Sequence, residues 1–370
     1  MPAPVKQFPF YLKVTVILFG LILSVYILSV LGGLLIPLAF AILAAILLNP
    51  LFNLICRPGL PRGLAVLLTV FIGIACFAGI FIMLWKELGQ FGDALPLLKT
   101  RANTLMESTR SWISSNYGVS SDKQVAFVKN AMANVQTSIG TALGTVFGLL
   151  SLVLLIPTYV FMILYYKTLI LNFIYEVFAE ENYKRVGEVL AQTKTAIQSY
   201  VVGLLVEMLI VGLLNIIALL LLGVKYAILI GALGAVINML PIVGGIISIA
   251  LPVLIVTVTK DGFSTQLAVI LSYLAIQFID NHIIFPRFVS VKVQINALIS
   301  LIAVFLGDAL WGIPGMFLSL PAIAVIKIIC DRIEELKPWG RLLGDNVPTM
   351  HIGQRWSKQR KAAVLETAQS

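Results

Sequence analysis

Long apolar runs separated by short polar segments dominate the sequence. A membrane-spanning helix needs about 20 predominantly apolar residues. Eight runs have this character, at 11–31, 34–55, 64–85, 141–166, 198–222, 226–258, 265–286 and 296–329. The sixth and eighth runs are too long for one straight crossing. The pattern therefore predicts an all-α integral membrane protein with about eight transmembrane helices. The sixth and eighth helices are broken by Gly and Pro. Each of these two either crosses the membrane once or folds back as a re-entrant segment.

A different pattern occupies residues 86–140, between the third and fourth apolar runs. Apolar residues recur there at steps of three and four along 88–112 and again along 125–139. Such seams are typical of helices that pack against a partner helix. We expect a small extramembrane helical hairpin that packs on itself, or else forms a subunit contact or an external lid.

These patterns divide the chain into five regions. The predicted regions are transmembrane helices 1–3 (1–85), the extramembrane hairpin (86–140), helix 4 with a cytoplasmic linker (141–197), a core transport region with helices 5–8 (198–330), and a basic cytoplasmic tail (331–370). The tail has few apolar positions and many Lys and Arg, so we expect it to be disordered or to lie on anionic lipid head groups.

Composition supports the membrane class and excludes a soluble one. Hydrophobic residues make up 59% of the chain and charged residues 12%, against about 25% charged in soluble domains. The formal net charge of +9 is explained by Lys and Arg in cytoplasmic loops, so no nucleic-acid partner is expected. If eight spans alternate from a cytoplasmic N-terminus, seventeen basic residues, Lys260 included, fall inside, and three fall in short outside loops. Both termini are therefore predicted to be cytoplasmic.

Motifs for familiar enzyme chemistry are missing from the sequence. The three cysteines include no CxxC pair, and the two histidines are far apart, so neither a disulfide framework nor a metal site is predicted. The chain has no GxxxxGK[ST] motif for nucleotide phosphates, which argues against an ATP-driven pump. We assign no catalytic residue, no metal ligand and no cofactor, and expect a proton or sodium ion as the coupling ion.

Helix-breaking residues interrupt the sixth and eighth runs. Asn238, Pro241, Gly244 and Gly245 lie together in the sixth run, and Gly312, Pro314 and Gly315 lie in the eighth. Broken helices expose backbone groups that lipid does not satisfy, so they must face protein or a wet cavity. A pair of interrupted apolar segments indicates a transporter binding site. The alternative is a pair of simple proline kinks.

Three acidic residues fall inside predicted spans: Glu207, Asp280 and Asp308. A charge near the bilayer centre costs at least about 2.5–3.5 kcal/mol, so each needs a partner, water or a proton. Asp280 is part of a carrier site, an interfacial cap, or the partner of Arg287 in an ion pair. Glu207 is either a carrier group or an interhelical hydrogen-bonding group. Carboxyl groups that change protonation between two access states couple a carrier to a proton gradient.

Small residues at the start of the fourth run favour close helix packing. Gly140, Gly144 and Gly148 form a GxxxGxxxG pattern, which lets another helix approach closely. This packing is expected within one subunit, with a contact between subunits as the alternative. The partners we expect are the lipid bilayer, a small-molecule or ion substrate, and further copies of the chain in a homo-oligomer of unknown number.

Several of these motifs together carry a family resemblance. They are the stretch 224–227, the break at 238–245, Asp280–Asn281, Pro286–Arg287, Gly312–Gly315 and Leu320–Pro321. In this combination the chain resembles the autoinducer-2 exporter family of bacterial polytopic membrane transporters. The resemblance covers most of the chain and implies a multi-pass transporter of the bacterial inner membrane. It implies export of autoinducer-2 or exchange of sodium or lithium for protons.

The leading hypothesis is a secondary-active, proton-coupled exporter of a small polar metabolite such as autoinducer-2. Asp280 and Asn281 would bind or gate, and Glu207 or Asp308 would carry the proton. The second hypothesis is a sodium or lithium/proton antiporter, because hard cations prefer oxygen ligands. An intramembrane aspartyl protease using Asp280 and Asp308 is a remote alternative, and so is a scaffold built on the 86–140 hairpin.

Overall fold

A computed structural model describes residues 9–56, 60–117, 155–240, 244–260, 262–289 and 295–345. These residues form helices joined by short turns, so the predicted all-α membrane class is confirmed. Several predicted features lie outside the described residues. They are Gly140, Gly144, Gly148, Pro241 and the second helix of the 86–140 hairpin.

The helices follow one another with few intervening residues. They are α1 (Phe10–Val30), α2 (Gly32–Ile55), α3 (Arg62–Tyr117), α4 (Leu155–Tyr165), α5 (Lys167–Val177), α6 (Tyr183–Leu221), α7 (Ala227–Asn238), α8 (Gly244–Thr259), α9 (Ser264–Ile279), a π-helical turn (Asp280–Ile284), α10 (Phe285–Phe288), α11 (Ala297–Trp311), α12 (Ile313–Arg332) and α13 (Lys337–Leu343).

Six helical segments in the described ranges are long and apolar enough to cross a membrane. They are α1, α2, the Arg62–Gly79 part of α3, Glu180–Leu221, Ser264–Phe288 and α12. Helices α4 and α5 also qualify if taken together, but they meet at a 64° bend. Helix α1 buries none of its residues, so its apolar side chains face outward along its whole length. Such a surface is compatible with lipid and not with water.

Helix α3 is one uninterrupted helix of 56 residues. The sequence placed a boundary between a third span ending at 85 and an extramembrane hairpin starting at 86. Residue 86 instead lies inside α3, and the first predicted helix of the hairpin is a direct extension of the third span. The physical reason is that no residue between 79 and 95 breaks a helix strongly enough to separate the two patterns.

Helices α7 and α8 form a hairpin rather than one broken crossing. In one straight helix, residues 234 and 248 would be about 21 Å apart, yet the Ser248 carbonyl oxygen lies 3.7 Å from the position of a Cβ built on Gly234. The Lys260 Nζ donates a 2.7 Å hydrogen bond to the carbonyl oxygen of Leu222, so the hairpin begins and ends at the same place. Predicted span six therefore re-enters, and the alternation that put Lys260 opposite Lys225 is wrong.

Helices α11 and α12 form a second hairpin. A Cβ built on Gly315 would overlap the carbonyl oxygen of Gly307, eight residues earlier, so the two helices lie side by side. Gly312 makes the turn with φ +62 and ψ −143, a conformation that only glycine adopts readily. The two outer ends also meet, because Asn296 Nδ2 donates to the carbonyl oxygen of Leu342 at 2.6 Å, beyond the end of α12.

Contacts between distant helices define two ends of the bundle. Arg332 at the end of α12 forms an ion pair with Glu188 near the start of α6, and we refer to this as the Glu188 end. Lys260 and Leu222 mark the other end, which we refer to as the Lys260 end. The α7–α8 hairpin starts and finishes at the Lys260 end, whereas the α11–α12 hairpin starts and finishes at the Glu188 end. Neither hairpin moves the chain from one end to the other.

Candidate functional site

The centre of the candidate site is the point where α9 changes into a π-helical turn. Asp280 is the first residue of that turn and is only 2% exposed. Asn238, the last residue of α7, donates a 2.8 Å hydrogen bond from Nδ2 to Asp280 Oδ2. The tip of the α7–α8 hairpin is thereby held against the break in α9. The structure thus brings together Asn238 and Asp280, which the sequence had placed in two different predicted spans, the sixth and the seventh.

The π-helical turn has a local cause in the sequence. Pro286 has no backbone N–H, so it cannot bond to the carbonyl of His282, and its ring would clash with that carbonyl in a regular α-helix. A wider turn over Asp280–Ile284 removes the clash. Single π-helical turns inside α-helices occur frequently at functional sites. Pro286 therefore acts on the site through the backbone that carries Asp280.

Glu207 approaches the same place from α6. It is only 4% exposed, and its carboxyl group and that of Asp280 are close enough for their charges to interact. One turn earlier on α6, a Cβ built on Gly203 would overlap the carbonyl oxygen of Phe288. This close approach seats α6 against α10 and turns the face that carries Glu207 towards the π-helical turn.

Both carboxyl groups keep an oxygen without a hydrogen-bond partner. Among the described residues, nothing donates to Glu207 Oε2 or to Asp280 Oδ1, and both atoms are buried. Burying an ionised carboxylate without partners is expensive. Oxygens of this kind are suited to a proton, a cation or a hydrogen-bonding solute as a partner.

A line of polar side chains leads from the Lys260 end to Asp280 along one face of α9. Its members are Gln266, Tyr273, Gln277 and Asp280, at successive steps of seven, four and three residues. Gln266 and Tyr273 are buried, and neither Gln266 Oε1 nor the Tyr273 hydroxyl has a hydrogen-bond partner in the described part of the chain. Sequence reasoning missed this line, although the helical spacing was visible in an otherwise apolar segment.

The α7–α8 hairpin faces this polar line with small residues. Asn215 Nδ2 of α6 and the Tyr273 hydroxyl lie 3.5 and 3.7 Å from the position of a Gly234 Cβ. A Cβ on Gly245 would lie 2.8–2.9 Å from the amide atoms of Gln277. A Cβ on Gly244 would overlap the carbonyl oxygen of Ile237. The two glycines at the break thus allow the hairpin to close tightly and to approach α9.

Other residues predicted from the sequence lie elsewhere. Asp308 is exposed in the last turn of α11, close to Trp311, whose Nε1 donates to the carbonyl oxygen of Leu28 at 2.9 Å. Asp308 therefore lies exposed beside the turn of the α11–α12 hairpin, whereas Glu207 and Asp280 are buried. Among the described residues, no hydrogen bond joins Asp308 to Asp280, whose Oδ2 accepts from Asn238 instead. Pro314 lies in the first turn of α12.

Two neighbours of Asp280 also point away from the pair. Asn281 and Arg287 are exposed, and the ion pairs within the described ranges do not include Asp280 with Arg287. The structure therefore does not support an ion pair between Asp280 and Arg287. His282 is exposed and stacks on Phe278, with ring centroids 4.2 Å apart.

The oxygen-rich surroundings determine what the site can bind. Across the described residues, no group of three His, Cys, Asp or Glu side chains comes together in a way that could hold a metal ion. Two carboxyl groups flanked by amides can exchange protons, hydrogen-bond a small polar solute, or hold a hard monovalent cation.

Comparison with known proteins agrees with the membrane architecture. The model of the AI-2E transporter family matches residues 15–335. The chain is 25% identical over 326 residues to AI-2 transport protein TqsA of Escherichia coli K12, which covers 87% of this chain and 92% of TqsA. It is 24% identical over 303 residues to YrrI of Bacillus subtilis strain 168, named as a candidate transport protein, covering 80% of this chain and 85% of YrrI.

Proposed function

Since the chain belongs to the AI-2E transporter family, a family of multi-pass membrane transport proteins, we propose that it is a secondary-active transporter that exports a small polar metabolite in exchange for protons. One observation carries the proposal. Two buried carboxyl groups, Glu207 and Asp280, lie within electrostatic reach of each other at the break of α9, and each keeps an oxygen without a partner.

The coupling follows from the cost of charge in this setting. Two neighbouring buried carboxylates repel each other, so at least one of them holds a proton whenever no cation or solute is bound. A polar solute that donates hydrogen bonds to these oxygens replaces the proton as their partner. Binding of solute and binding of protons are then mutually exclusive, which is the requirement for exchange.

The structure also suggests how access alternates. The polar line on α9 leads from the Lys260 end to the pair, and the Gly-rich tip of the α7–α8 hairpin lies against Gln277 and Asp280 at the end of that line. The hairpin is anchored at its outer ends by Lys260 and at its tip by the Asn238–Asp280 hydrogen bond. Breaking the tip contact frees the hairpin to move as one unit, in keeping with gating by repeat elements in transporters.

We propose autoinducer-2 as the first cargo to test. The support is the relative TqsA, whose name describes it as an AI-2 transport protein and which aligns with nearly the whole chain. Autoinducer-2 carries hydroxyl groups, which suit the amide, carboxyl and phenol groups of the site. At about one quarter identity, another small polyol remains compatible with the same chemistry.

We further propose that the protein lies in the bacterial inner membrane with both termini in the cytoplasm. Once the α7–α8 hairpin is treated as re-entrant, Lys225 and Lys260 share one side, and Arg287 moves towards the side of Arg332 and Lys337. With this arrangement, the difference in the number of Lys and Arg between the two sides of the membrane is larger than with alternation through eight spans. The positive-inside rule then places the Glu188 end in the cytoplasm.

The test is flux into inside-out vesicles that contain the protein. Labelled autoinducer-2 is supplied outside, with and without an imposed proton gradient, and uptake is compared for the wild type, Asp280→Asn and Glu176→Gln. Glu176 is an exposed acid on α5, so its variant makes the same chemical change away from the site. We expect gradient-dependent uptake in the wild type and Glu176→Gln, and its loss in Asp280→Asn. Equal uptake in all three would remove Asp280 from the mechanism.

A second candidate function is exchange of sodium or lithium for protons. It is favoured by the same pair of carboxyl groups together with two amide oxygens, Asn215 Oδ1 and Gln266 Oε1, for which the described residues offer no hydrogen-bond partner. Oxygen ligands of this kind suit hard cations. The same vesicles decide between the two functions, because addition of sodium or lithium would release protons without any organic cargo.

A further inference from the structure

A cavity lies away from the carboxyl pair, at the Glu188 end of the bundle. It is open to the surface, has a volume of about 620 Å³ and is lined by α2, α4, α5 and α6. This volume is within the usual range of about 300–1,000 Å³ for small-molecule sites. Most of its wall is aliphatic, contributed by residues such as Ile42, Ile46 and Leu190.

Five side chains with polar groups contribute to the lining of this cavity: Asn49, Lys167, Tyr175, Thr193 and Lys194. Lys167 Nζ donates a 2.7 Å hydrogen bond to Asn49 Oδ1. Asn49 is only 4% exposed, and its Nδ2 has no hydrogen-bond partner among the described residues. The Thr193 hydroxyl is also buried without a partner there. The cavity therefore offers unused donors beside an ammonium group.

The charges around the cavity have one sign. Lys194 and Arg62 are close enough to Lys167 for their positive charges to act on it. No Asp or Glu contributes to the lining. Neither lysine forms an ion pair within the part of the chain that the structure describes. Gathered cations of this kind favour an anion, which removes their mutual repulsion and accepts the free N–H and O–H groups.

The position of the cavity indicates which kind of anion it binds. Lys167 follows the 64° bend between α4 and α5, at the level where α2 ends, so the charged groups lie near the boundary of the membrane. The aliphatic wall continues from there along α2 and α4 towards the middle of the bundle. A ligand that fits both parts has an anionic head and a hydrocarbon chain.

We propose that this cavity binds an anionic phospholipid, with its phosphate between Lys167 and Lys194 and one acyl chain against the wall of α2 and α4. Basic pockets between transmembrane helices on the cytoplasmic side bind lipid head groups in this way. The lipid would join α2, α5 and α6, whose contacts around the cavity are otherwise incomplete. This inference is independent of the transport function.

The experiment measures lipid binding by the purified full-length protein in detergent, by native mass spectrometry. Phosphatidylglycerol is compared with phosphatidylcholine of the same acyl chains and with glycerol 3-phosphate, a free phosphate monoester that has no acyl chain. We expect phosphatidylglycerol to bind preferentially. Equal binding of glycerol 3-phosphate would show a site for free anions and overturn the lipid assignment.

Two kinds of variant locate the site. Lys167→Gln combined with Lys194→Gln should weaken phosphatidylglycerol binding about 30-fold, since each basic residue near the surface contributes roughly a factor of five. The matched control, Lys184→Gln with Arg341→Gln, removes two exposed charges at the same end and should change binding less than about threefold. Unchanged binding in the first variant overturns the proposal.

A variant that fills the cavity tests the proposal independently of the double lysine variant, which is needed if that variant does not fold. Ala191→Trp places a large side chain in the cavity from an exposed position of α6 and leaves all charges in place. It should abolish preferential binding of phosphatidylglycerol. Full retention of that preference in a folded Ala191→Trp protein would move the lipid to another surface, such as the basic tail, and overturn the assignment.

Discussion

Replacing Asn238 with leucine tests the contact that holds the α7–α8 hairpin against α9. Leucine has a similar size and cannot donate a hydrogen bond, so Asp280 Oδ2 loses its 2.8 Å partner while Oδ1 has none to begin with. The carboxyl group is then buried with no partner at all. Leaving a buried polar group unpaired costs about 1–3 kcal/mol. We expect a loss of that size in the free energy of unfolding.

The size of the effect also reports the charge of Asp280. Interhelical hydrogen bonds between neutral groups in membranes have coupling energies of about 0.6 kcal/mol on average and about 1.7 kcal/mol at most. A hydrogen bond to a charged group contributes about 1.5–3 kcal/mol. A coupling near 0.6 kcal/mol would therefore indicate a protonated Asp280. A coupling above about 1.7 kcal/mol would indicate an ionised one.

A double-mutant cycle isolates this coupling. Asn238→Leu, Asp280→Leu and the double variant are unfolded by titration with SDS in mixed micelles, and the free energies are compared with that of the wild type. Because the double variant leaves neither partner unpaired, it should lose less stability than the two single variants combined. A flux assay on the same proteins should show no coupled transport in any of the three.

Additive losses would refute the reasoning. Independent sites add within about 0.3–0.5 kcal/mol. If the double variant lost as much as both single variants together, the Asn238–Asp280 hydrogen bond would not hold the hairpin tip. The gating role given to that contact in the proposed function would then fail with it.

Further predictions concern the two hairpins. Gly315→Ala should lower the free energy of unfolding by about 1–3 kcal/mol, because its Cβ would overlap the Gly307 carbonyl oxygen. The control is Gly33→Ala, whose Cβ meets nothing within 4 Å. In the same SDS titration the control should be as stable as the wild type or more stable. Lys225→Cys and Phe263→Cys, made in a cysteine-free background, should react with an impermeant thiol reagent from the same side of the membrane; labelling from opposite sides would mean that α7–α8 crosses.

Residue types and helix breaks were enough to predict most of the candidate site. Asn238, Gly244, Glu207 and Asp280 stood out because polar or helix-breaking residues in apolar runs are costly, and the structure brings these four residues to neighbouring positions. Their meeting could not be derived from spacing, since it depends on how the α7–α8 hairpin folds back onto α6 and α9.

Hydropathy also could not distinguish a hairpin from a crossing. The mostly apolar run of 33 residues from 226 to 258 is long enough for either arrangement. Contacts such as the hydrogen bond from Lys260 to Leu222 decide which one forms, and hydropathy does not contain them. The same limit misplaced Asp308, which a straight eighth span puts inside the membrane and which the structure places, exposed, beside the turn at Gly312. The polar line on α9 could have been recognised from its steps of seven, four and three residues. It was missed because Gln266, Tyr273 and Gln277 are uncharged, and the prediction of site residues rested on charged and helix-breaking residues and their neighbours.

The length of α3 has a mechanical consequence. At 1.5 Å per residue, its 56 residues extend about 84 Å, of which a bilayer core of about 30 Å accounts for little more than a third. The remainder is an arm of roughly 50 Å that continues the third span as helix, with Pro96 inside it as the point where it can bend. A tilt of about 10° within the membrane displaces the far end of such an arm by about 9 Å. Small rearrangements beside α7 and α8 are thus amplified into a displacement large enough for another molecule to sense.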